Sequence, residues 1–256
     1  SLFGAVMCFL MMFQMSPLYA VIAIIVMALI HLALSRAGER DNSLTAIFQG
    51  VIFQLTRHLH VAAQKSYAST HAKDWRPSFI MVSEDTFDRI SALDFLRWVS
   101  HRYGFSTLIH FIPGMLSRET TKISRQMLGR LIEMTASSRA SVFVDTVVSP
   151  TYKTALAQMM QVAGISGLEN NSILFELPQD KPDSIARVVE SCRIIAGLDM
   201  NICILRSSPR RFGYRRQIHV WITQDDENNA SLMILLAFII AGHPEWKDCE
   251  ISVFAS

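Results

Sequence analysis

The feature that most constrains the fold of this chain is a long stretch without charged residues near its start. Residues Leu2–Leu34 contain no Asp, Glu, Lys or Arg. A single helix of this length would measure about 50 Å, whereas the hydrocarbon core of a bilayer is about 30 Å thick. Because Pro17 interrupts the stretch, the sequence predicts a hairpin of two transmembrane helices, joined at Ser16–Pro17, in residues 1–34. The first of these helices is expected to be truncated.

A signal peptide and a buried core helix are the alternatives to a membrane hairpin. The stretch has neither the basic start nor the small-residue cleavage site of a signal peptide. Half of the chain is hydrophobic and only 18% is charged, and two adjacent charge-free helices are hard to bury in one soluble domain. Basic residues such as Arg36, Arg40 and Arg57 outnumber acidic ones soon after the stretch. The positive-inside rule therefore predicts a multi-pass protein of the cell membrane, with the residues after 34 in the cytoplasm.

Residues 35–73 are predicted to form an amphipathic connecting helix and a linker. Polar side chains suited to a helix amino terminus occupy Asp41–Ser43, and apolar residues then recur at helical spacing. The predicted dimer or domain-packing face consists of Leu44, Ile47, Phe48, Val51, Ile52, Leu55 and Leu59. This face could pack on the chain's own soluble domain, on a second copy of the chain or on the membrane surface.

Residues 74–256 are predicted to form an α/β domain with a mostly parallel, doubly wound sheet. The strand candidates are Phe79–Ser83, Thr107–Ile112, Ser141–Val148, Ser172–Leu177, Asn201–Leu205, Ile218–Thr223 and Ile251–Phe254. The helix candidates are Phe87–His101, Arg118–Ala136, Thr151–Ala163, Asp183–Leu198 and Ala230–Ala241. Their alternation favours right-handed crossovers with helices on both faces of the sheet. No helix fits between the fifth and sixth strands, so we expect a mixed pairing, a sheet edge or the start of a second half there.

The sequence carries no recognisable catalytic or cofactor-binding pattern. It lacks the glycine-rich phosphate loops, the GxSxG elbow and the HExxH metal motif. Its four cysteines are scattered without CxxC spacing, so they predict neither a zinc site nor a disulfide framework. A net charge of +2 provides no strong field for nucleic acid. We therefore expect a protein that is not an enzyme, binds no metal or cofactor and has no nucleic-acid partner.

The densest polar feature is a loop rich in arginine that follows the fifth predicted strand. Its arginines are Arg206, Arg210, Arg211, Arg215 and Arg216. Ligands of open α/β sheets bind near the carboxyl ends of strands, and arginine suits paired oxygen atoms. The loop is thus a candidate anion or regulatory patch for a nucleotide phosphate, an anionic lipid or an acidic partner segment. The alternative is a solvated loop, with Asp225–Glu227 close enough in sequence to pair with it.

Several local runs resemble the cation-chloride cotransporters, the Na-K-Cl and K-Cl symporters and their prokaryotic relatives in the amino acid-polyamine-organocation superfamily. The runs are Ser1–Ala5, Asp74–Pro77, Gly167–Ser172, His219–Ile222, Ser231–Leu236 and Trp246–Ile251. The last three are similar to the family's D-V-W-W-I, M-L-M-L-L and W-R-K-C-x-I-R-I-F, in the same order and at similar separations. The similarity is spread over most of the chain.

This resemblance implies a cytosolic domain built like the universal stress proteins, a homodimer, and symport of chloride with sodium or potassium. The family's ion sites lie on earlier membrane helices, so the transported ions are expected to bind outside this sequence. We expect the chain to be the C-terminal part of such a secondary-active symporter, with a domain for dimerisation and regulation that continues past residue 256 and with membrane lipids as a further partner. The alternatives are a membrane-tethered nucleotide-sensing module of universal-stress type and the regulatory domain of an amino-acid permease.

Overall fold

Two helices, α1 and α2, precede an α/β region. The computed structural model describes residues 7, 11, 14, 16–37, 43–69, 75–137, 141–161, 170–179 and 184–255. The chain divides into two compact units, Ser1–Ala62 and Ala63–Ser256. The first contains α1, Pro17–Ala37, and most of α2, Ser43–Ser69. The second contains every strand that the structure describes.

Helix α1 begins where the interruption in the apolar stretch predicts it. Pro17 occupies the first turn, where its missing N–H costs nothing, and the amide of Ala20 donates to the carbonyl oxygen of Ser16 at 3.1 Å. The first predicted span falls mostly on residues outside the described ones. Among the residues that are described, no helix is both long enough and apolar enough to cross a membrane.

The central element of the second unit is a five-stranded sheet in which all neighbouring strands are parallel. Its strands are β1 (Ser78–Ser83), β2 (Phe105–Pro113), β3 (Phe143–Ser149), β4 (Ser172–Pro178) and β5 (Asn201–Ser207). Their spatial order is β3-β2-β1-β4-β5, so the order reverses beside β1. The mostly parallel α/β fold predicted from the sequence is confirmed.

Helices cover both faces of this sheet, because alternate strand residues point to opposite sides. The helices are α3 (Ile90–Ser100), α4 (Arg118–Ser137), α5 (Tyr152–Gln161) and α6 (Ser184–Ile195). On one face Phe79 and Met81 of β1 pack in a core with α3 and α4. On the other face Ile80 and Val82 pack in a second core with α5 and α6.

A separate two-stranded parallel sheet follows the arginine-rich loop. It consists of β6 (Gln217–Ile222) and β7 (Glu250–Ala255), joined through helix α7 (Ala230–Ala241). Residues 208–216, which connect β5 to β6 and are all described, contain no helix. Of the three expectations for this point, the structure shows a sheet edge, since β5 is the last strand of the large sheet, and β6 starts a separate sheet.

The start of the α/β domain is fastened to the middle of the large sheet. Asn171, just before β4, donates from Nδ2 to the carbonyl oxygen of Arg76 at 2.7 Å. Its Oδ1 accepts the amide of Ser78 at 3.0 Å. Gly104, just before β2, also lies against this segment, since a Cβ there would come within 2.8 Å of the carbonyl oxygen of Pro77. The chain therefore enters the domain at its central strand, β1.

Candidate functional site

The carboxyl edge of the large sheet has a crevice between β1 and β4, where the strand order reverses and ligands of such sheets usually bind. Two ion pairs fill it: Arg89 Nε lies 3.7 Å from Glu176 Oε2, and Arg187 Nη1 lies 3.4 Å from Glu84 Oε2. The remaining cavity is only about 50 Å³. Ligand pockets usually measure about 300–1,000 Å³, so this crevice has no room for a nucleotide as it stands.

Tyr152 closes the floor of the same crevice. Its hydroxyl donates to the carbonyl oxygen of Val82 at 2.9 Å, and the guanidinium of Arg187 lies 5.8 Å from the centre of its ring. Burial raises the pKa of Tyr152 to about 12, although Arg187 and Arg89 act in the opposite direction. Tyr152 therefore stays protonated at neutral pH and remains a hydrogen-bond donor to the backbone.

A second, more open cleft lies at the same edge, between the ends of β4 and β5 and the start of α3. Its volume is about 380 Å³, and its walls include Arg89, Glu176, Ser208 and Arg211. Two guanidinium groups and a hydroxyl could contact phosphate oxygens here. The buried carboxylate of Glu176 would oppose an anion unless Arg89 continued to neutralise it.

The arginine-rich loop places four of its five arginines in solvent. Arg206, the second-last residue of β5, is exposed, as are Arg210, Arg211 and Arg216. Tyr214 is 96% exposed. Arg211 has a φ of 53°, in the left-handed region that costs a residue with a side chain about 1 kcal/mol or more.

Arg215, the fifth arginine, is only partly exposed and contacts a network of charged and aromatic side chains on α3 and before β7. Its guanidinium pairs with Glu245, lies 3.9 Å from Asp94 and sits 5.2 Å from the centre of the Trp98 ring. Its φ of 54° is also left-handed. The surrounding contacts hold Arg215 in this conformation, so its role is to fasten the loop and not to offer a free cation.

Trp98 on α3 is the centre of this network and is 0% exposed. The rings of Phe212 and Trp246 meet it edge-on, with centroids 4.6 and 5.1 Å away. Its Nε1 donates to Glu245 Oε2 at 3.2 Å. Because Phe212 lies in the arginine-rich loop and Trp246 in the segment before β7, Trp98 joins the large sheet's helix layer to the β6–α7–β7 motif.

The network contains two arginines, Arg97 and Arg215, and two carboxylates, Asp94 and Glu245, all of them partly buried. Burial works to raise the pKa of Glu245, but the Trp98 hydrogen bond and the guanidinium groups of Arg97 and Arg215 prevail and lower it. Burial raises the pKa of Asp94 despite the same two arginines. Of the two carboxyl groups, Glu245 is thus the one that loses its proton more readily. Neither Trp98 nor Glu245 stood out in the sequence, since residues 147 apart in the chain carry no local signal of contact.

In the acidic run after β6, Asp226 forms hydrogen bonds with Thr223, three residues before it. Asp226 Oδ2 accepts the amide of Thr223 at 2.9 Å and its hydroxyl at 2.6 Å, forming a capping box for the short 3₁₀ helix Gln224–Asp226. The side-chain and backbone hydrogen bonds from Thr223 lower the pKa of Asp226. The carboxylate that holds Arg215 comes from Glu245, and not from this run.

The predicted packing face of α2 is exposed wherever its side chains are described. Val51, Ile52, Leu55 and Leu59 are each 58–60% exposed. The side chains of Leu44, Ile47 and Phe48 lie outside the described residues. The other described side chains of α2 between Gln49 and Ala62 are exposed as well.

No group of His, Cys, Asp and Glu side chains in the described ranges converges as a metal ion would require. Burial raises the pKa of the Cys203 thiol to about 11. Such a thiol is protonated at neutral pH and is a poor nucleophile.

Comparison with known proteins gives a match along the whole chain. No protein-family model matches. Over 276 aligned residues, which take in all of this chain, the sequence is 25% identical to "Potassium/chloride cotransporter 3" of Caenorhabditis elegans. The predicted resemblance to the cation-chloride cotransporters is confirmed. The chain spans about 25% of the length of that curated relative.

Among solved structures, a similar one is the crystal structure of the cytoplasmic domain of a prokaryotic cation chloride cotransporter. The TM-score is 0.49 at 15% sequence identity, over 71% of this chain and 66% of that one.

Proposed function

We propose that this chain is the C-terminal part of a secondary-active cation-chloride symporter and that its α/β domain assembles and regulates the carrier. The observation that carries the proposal is the similarity of the whole chain to a potassium/chloride cotransporter. That relative is named a transporter, which supports a role in transport and not in catalysis. The ion pairs Arg89–Glu176 and Arg215–Glu245 agree with this role, because these charged groups bind one another and hold parts of the domain together.

Three further parts of the proposal rest on particular residues. The charge-free stretch Leu2–Leu34 supports a membrane hairpin, with the residues after 34 in the cytoplasm. The exposed row Val51, Ile52, Leu55 and Leu59 supports self-association through α2 into a homodimer. The exposed cations of the arginine-rich loop support contact with anionic lipid or an acidic regulatory segment. The transported ions, sodium, potassium and chloride, bind on membrane helices upstream of this sequence.

Ion flux in cells tests the transport proposal. The longer protein that contains this sequence is expected to drive uptake of rubidium, a potassium substitute, or of sodium, and the uptake should stop when gluconate replaces chloride. The chain of 256 residues alone should drive none. Uptake that ignores chloride but follows an added amino acid would refute the proposal and favour the amino-acid permease alternative.

A nucleotide-sensing module is the second candidate, and the open cleft beside Arg89 and Arg211 is the observation that favours it. Titration of the purified chain with ATP, followed by calorimetry, tests this candidate. Binding that disappears in Arg211→Ala but not in Arg216→Ala would support it, because only Arg211 lines the cleft. Absence of binding, or equal loss in both variants, would contradict it.

A further inference from the structure

The short 3₁₀ helix Pro244–Trp246 carries two of the side chains that fasten the β6–α7–β7 motif to α3. It is capped by His243, whose Nδ1 accepts the amide of Glu245 at 3.2 Å. A ring nitrogen that accepts a hydrogen bond carries no proton. This hydrogen bond therefore requires that Nδ1 of His243 carries no proton. The His243 residue is only 8% exposed.

A second histidine lies against this one. The ring of His101, at the carboxyl end of α3, meets the ring of His243 with centroids 4.7 Å apart and planes at 69°. His101 is exposed, so it gives the buried ring a short path to water. If both rings carried protons, two positive charges would face each other across this contact.

The charges around His243 come from two other parts of the chain as well as its own segment. Arg97 and His101 belong to α3 and its end, Arg215 to the arginine-rich loop, and Glu245 to the 3₁₀ helix. Arg97 and Arg215 oppose protonation of His243, as does His101 whenever its ring carries a proton, and Glu245 favours it. Glu245 is already engaged by Arg97, Arg215 and Trp98, so it has little capacity left to compensate a new cation.

We propose that His243 and His101 form a proton-operated joint, at which protonation of His243 opens the 3₁₀ helix and loosens the β6–α7–β7 motif from α3. The step takes one proton from water onto Nδ1 and releases the amide of Glu245 from its hydrogen bond. Glu245 and Trp246 then lose the fixed position from which they contact Arg97 and Trp98. The joint is a conformational device in the fold and does not depend on which ions the carrier moves.

The direction of the pH dependence follows from the environment of the ring. Burial, and next the charge of His101, lower the pKa of His243 below its ordinary value of 6.5. The open state therefore binds the proton more readily than the closed state. The closed joint is fully stable above pH 6.5, and this stability is lost progressively as the pH falls below that value.

Amide hydrogen exchange of the full chain in mild detergent tests the joint. The amides of Trp246 and Cys249 report on it, since they donate to the carbonyl oxygens of His243 and Trp246 at 2.9 and 3.1 Å. After correction for intrinsic exchange rates, opening is expected to increase by up to about tenfold for each pH unit below 6.5. Amides of β1 should keep their protection over the same range.

His243→Asn is the decisive variant. Asparagine is a favoured residue at this capping position and its side-chain oxygen can accept the same amide, but it does not titrate. We expect this variant to fold and to show no pH-dependent opening, whereas His219→Asn, at an exposed histidine of β6, should behave like the unsubstituted chain. Without the charge of His101 the pKa of His243 in the closed joint rises, so His101→Asn should show a smaller pH-dependent increase in opening that levels off at a higher pH.

Three results would each overturn the proposal. The first is exchange in the unsubstituted chain that does not change between about pH 8 and 5. The second is unchanged pH dependence in His243→Asn. The third is equal loss of that dependence in His219→Asn. If His243→Asn failed to fold, a flat profile in the unsubstituted chain would still refute the joint, and a smaller pH-dependent increase in opening in His101→Asn would support it.

Discussion

Replacing Trp98 by alanine tests whether the buried aromatic cluster holds the two sheets of the α/β region together. The substitution removes a ring that is 0% exposed, its edge-on contacts with Phe212 and Trp246, and the hydrogen bond to Glu245. Truncation of a buried tryptophan costs about 3–5 kcal/mol. That is a large share of the roughly 5–15 kcal/mol by which a domain is stable.

A companion variant separates the hydrogen bond from the packing. Trp98→Phe keeps an aromatic ring but leaves Glu245 without the indole donor. A hydrogen bond to a charged acceptor contributes about 1.5–3 kcal/mol, so this variant should lose roughly half as much stability as Trp98→Ala. The matched control is Trp221→Ala on β6, where the ring is 61% exposed and stacks on Phe254 with centroids 4.4 Å apart. Its loss should be below about 1 kcal/mol.

Urea unfolding and amide exchange measure these losses. Trp98→Ala should lower the urea midpoint and should speed exchange most in Gln217–Ile222 and Pro244–Trp246, the segments joined through the cluster. Exchange in β2 should change less, because its ladders with β1 and β3 remain intact. Equal losses in Trp98→Ala and Trp221→Ala, or a uniform change in exchange, would refute the role given to the cluster.

Three more variants test other features. Val51→Ser with Leu55→Ser should reduce self-association in ultracentrifugation without lowering the melting temperature of the α/β domain, and an unchanged oligomer mass would contradict the proposed face. Arg210→Ala with Arg216→Ala should weaken binding to anionic vesicles, and added salt should have the same effect because it screens charges over about 8 Å. Vesicle binding that resists salt would contradict the proposed lipid contact. Gly104→Ala places a Cβ 2.6 and 2.8 Å from two carbonyl oxygens and should cost about 1–3 kcal/mol in thermal unfolding, whereas a neutral result would show that the backbone yields there.

Periodicity predicts the large sheet well because its strands are short runs rich in apolar and β-branched residues. β1 illustrates this, since a strand covered on both faces is mostly apolar without alternation, as Phe79–Val82 is, and stands out from its surroundings. The separate sheet of β6 and β7 was harder to predict. The strands β6 and β7 are about as apolar as those of the large sheet. The sequence signal that β6 belongs to a different sheet is the absence of a crossover helix between β5 and β6.

The candidate site is only partly visible in the sequence for a different reason. The arginine-rich loop is a local cluster, so its composition reveals it, but composition treats Arg215 and Arg216 alike. The structure separates them, because the left-handed backbone at Arg215 turns its side chain towards Glu245 while Arg216 stays in solvent. The pair His101 and His243 lies beyond pattern recognition, since neither has a neighbour in sequence that marks it.

The attachment of the chain to β1 determines how mechanical force enters the domain. A pull on the segment before Pro77 acts along the central strand, whose ladder with β2 runs from Ser78 to Ser83. Such a load shears all the hydrogen bonds of that ladder together, whereas a load on an edge strand would peel them apart one by one. Asn171 adds a cross-link between the loaded segment and β4. A load applied at Pro77 is thus expected to move the sheet as a rigid body instead of unravelling it.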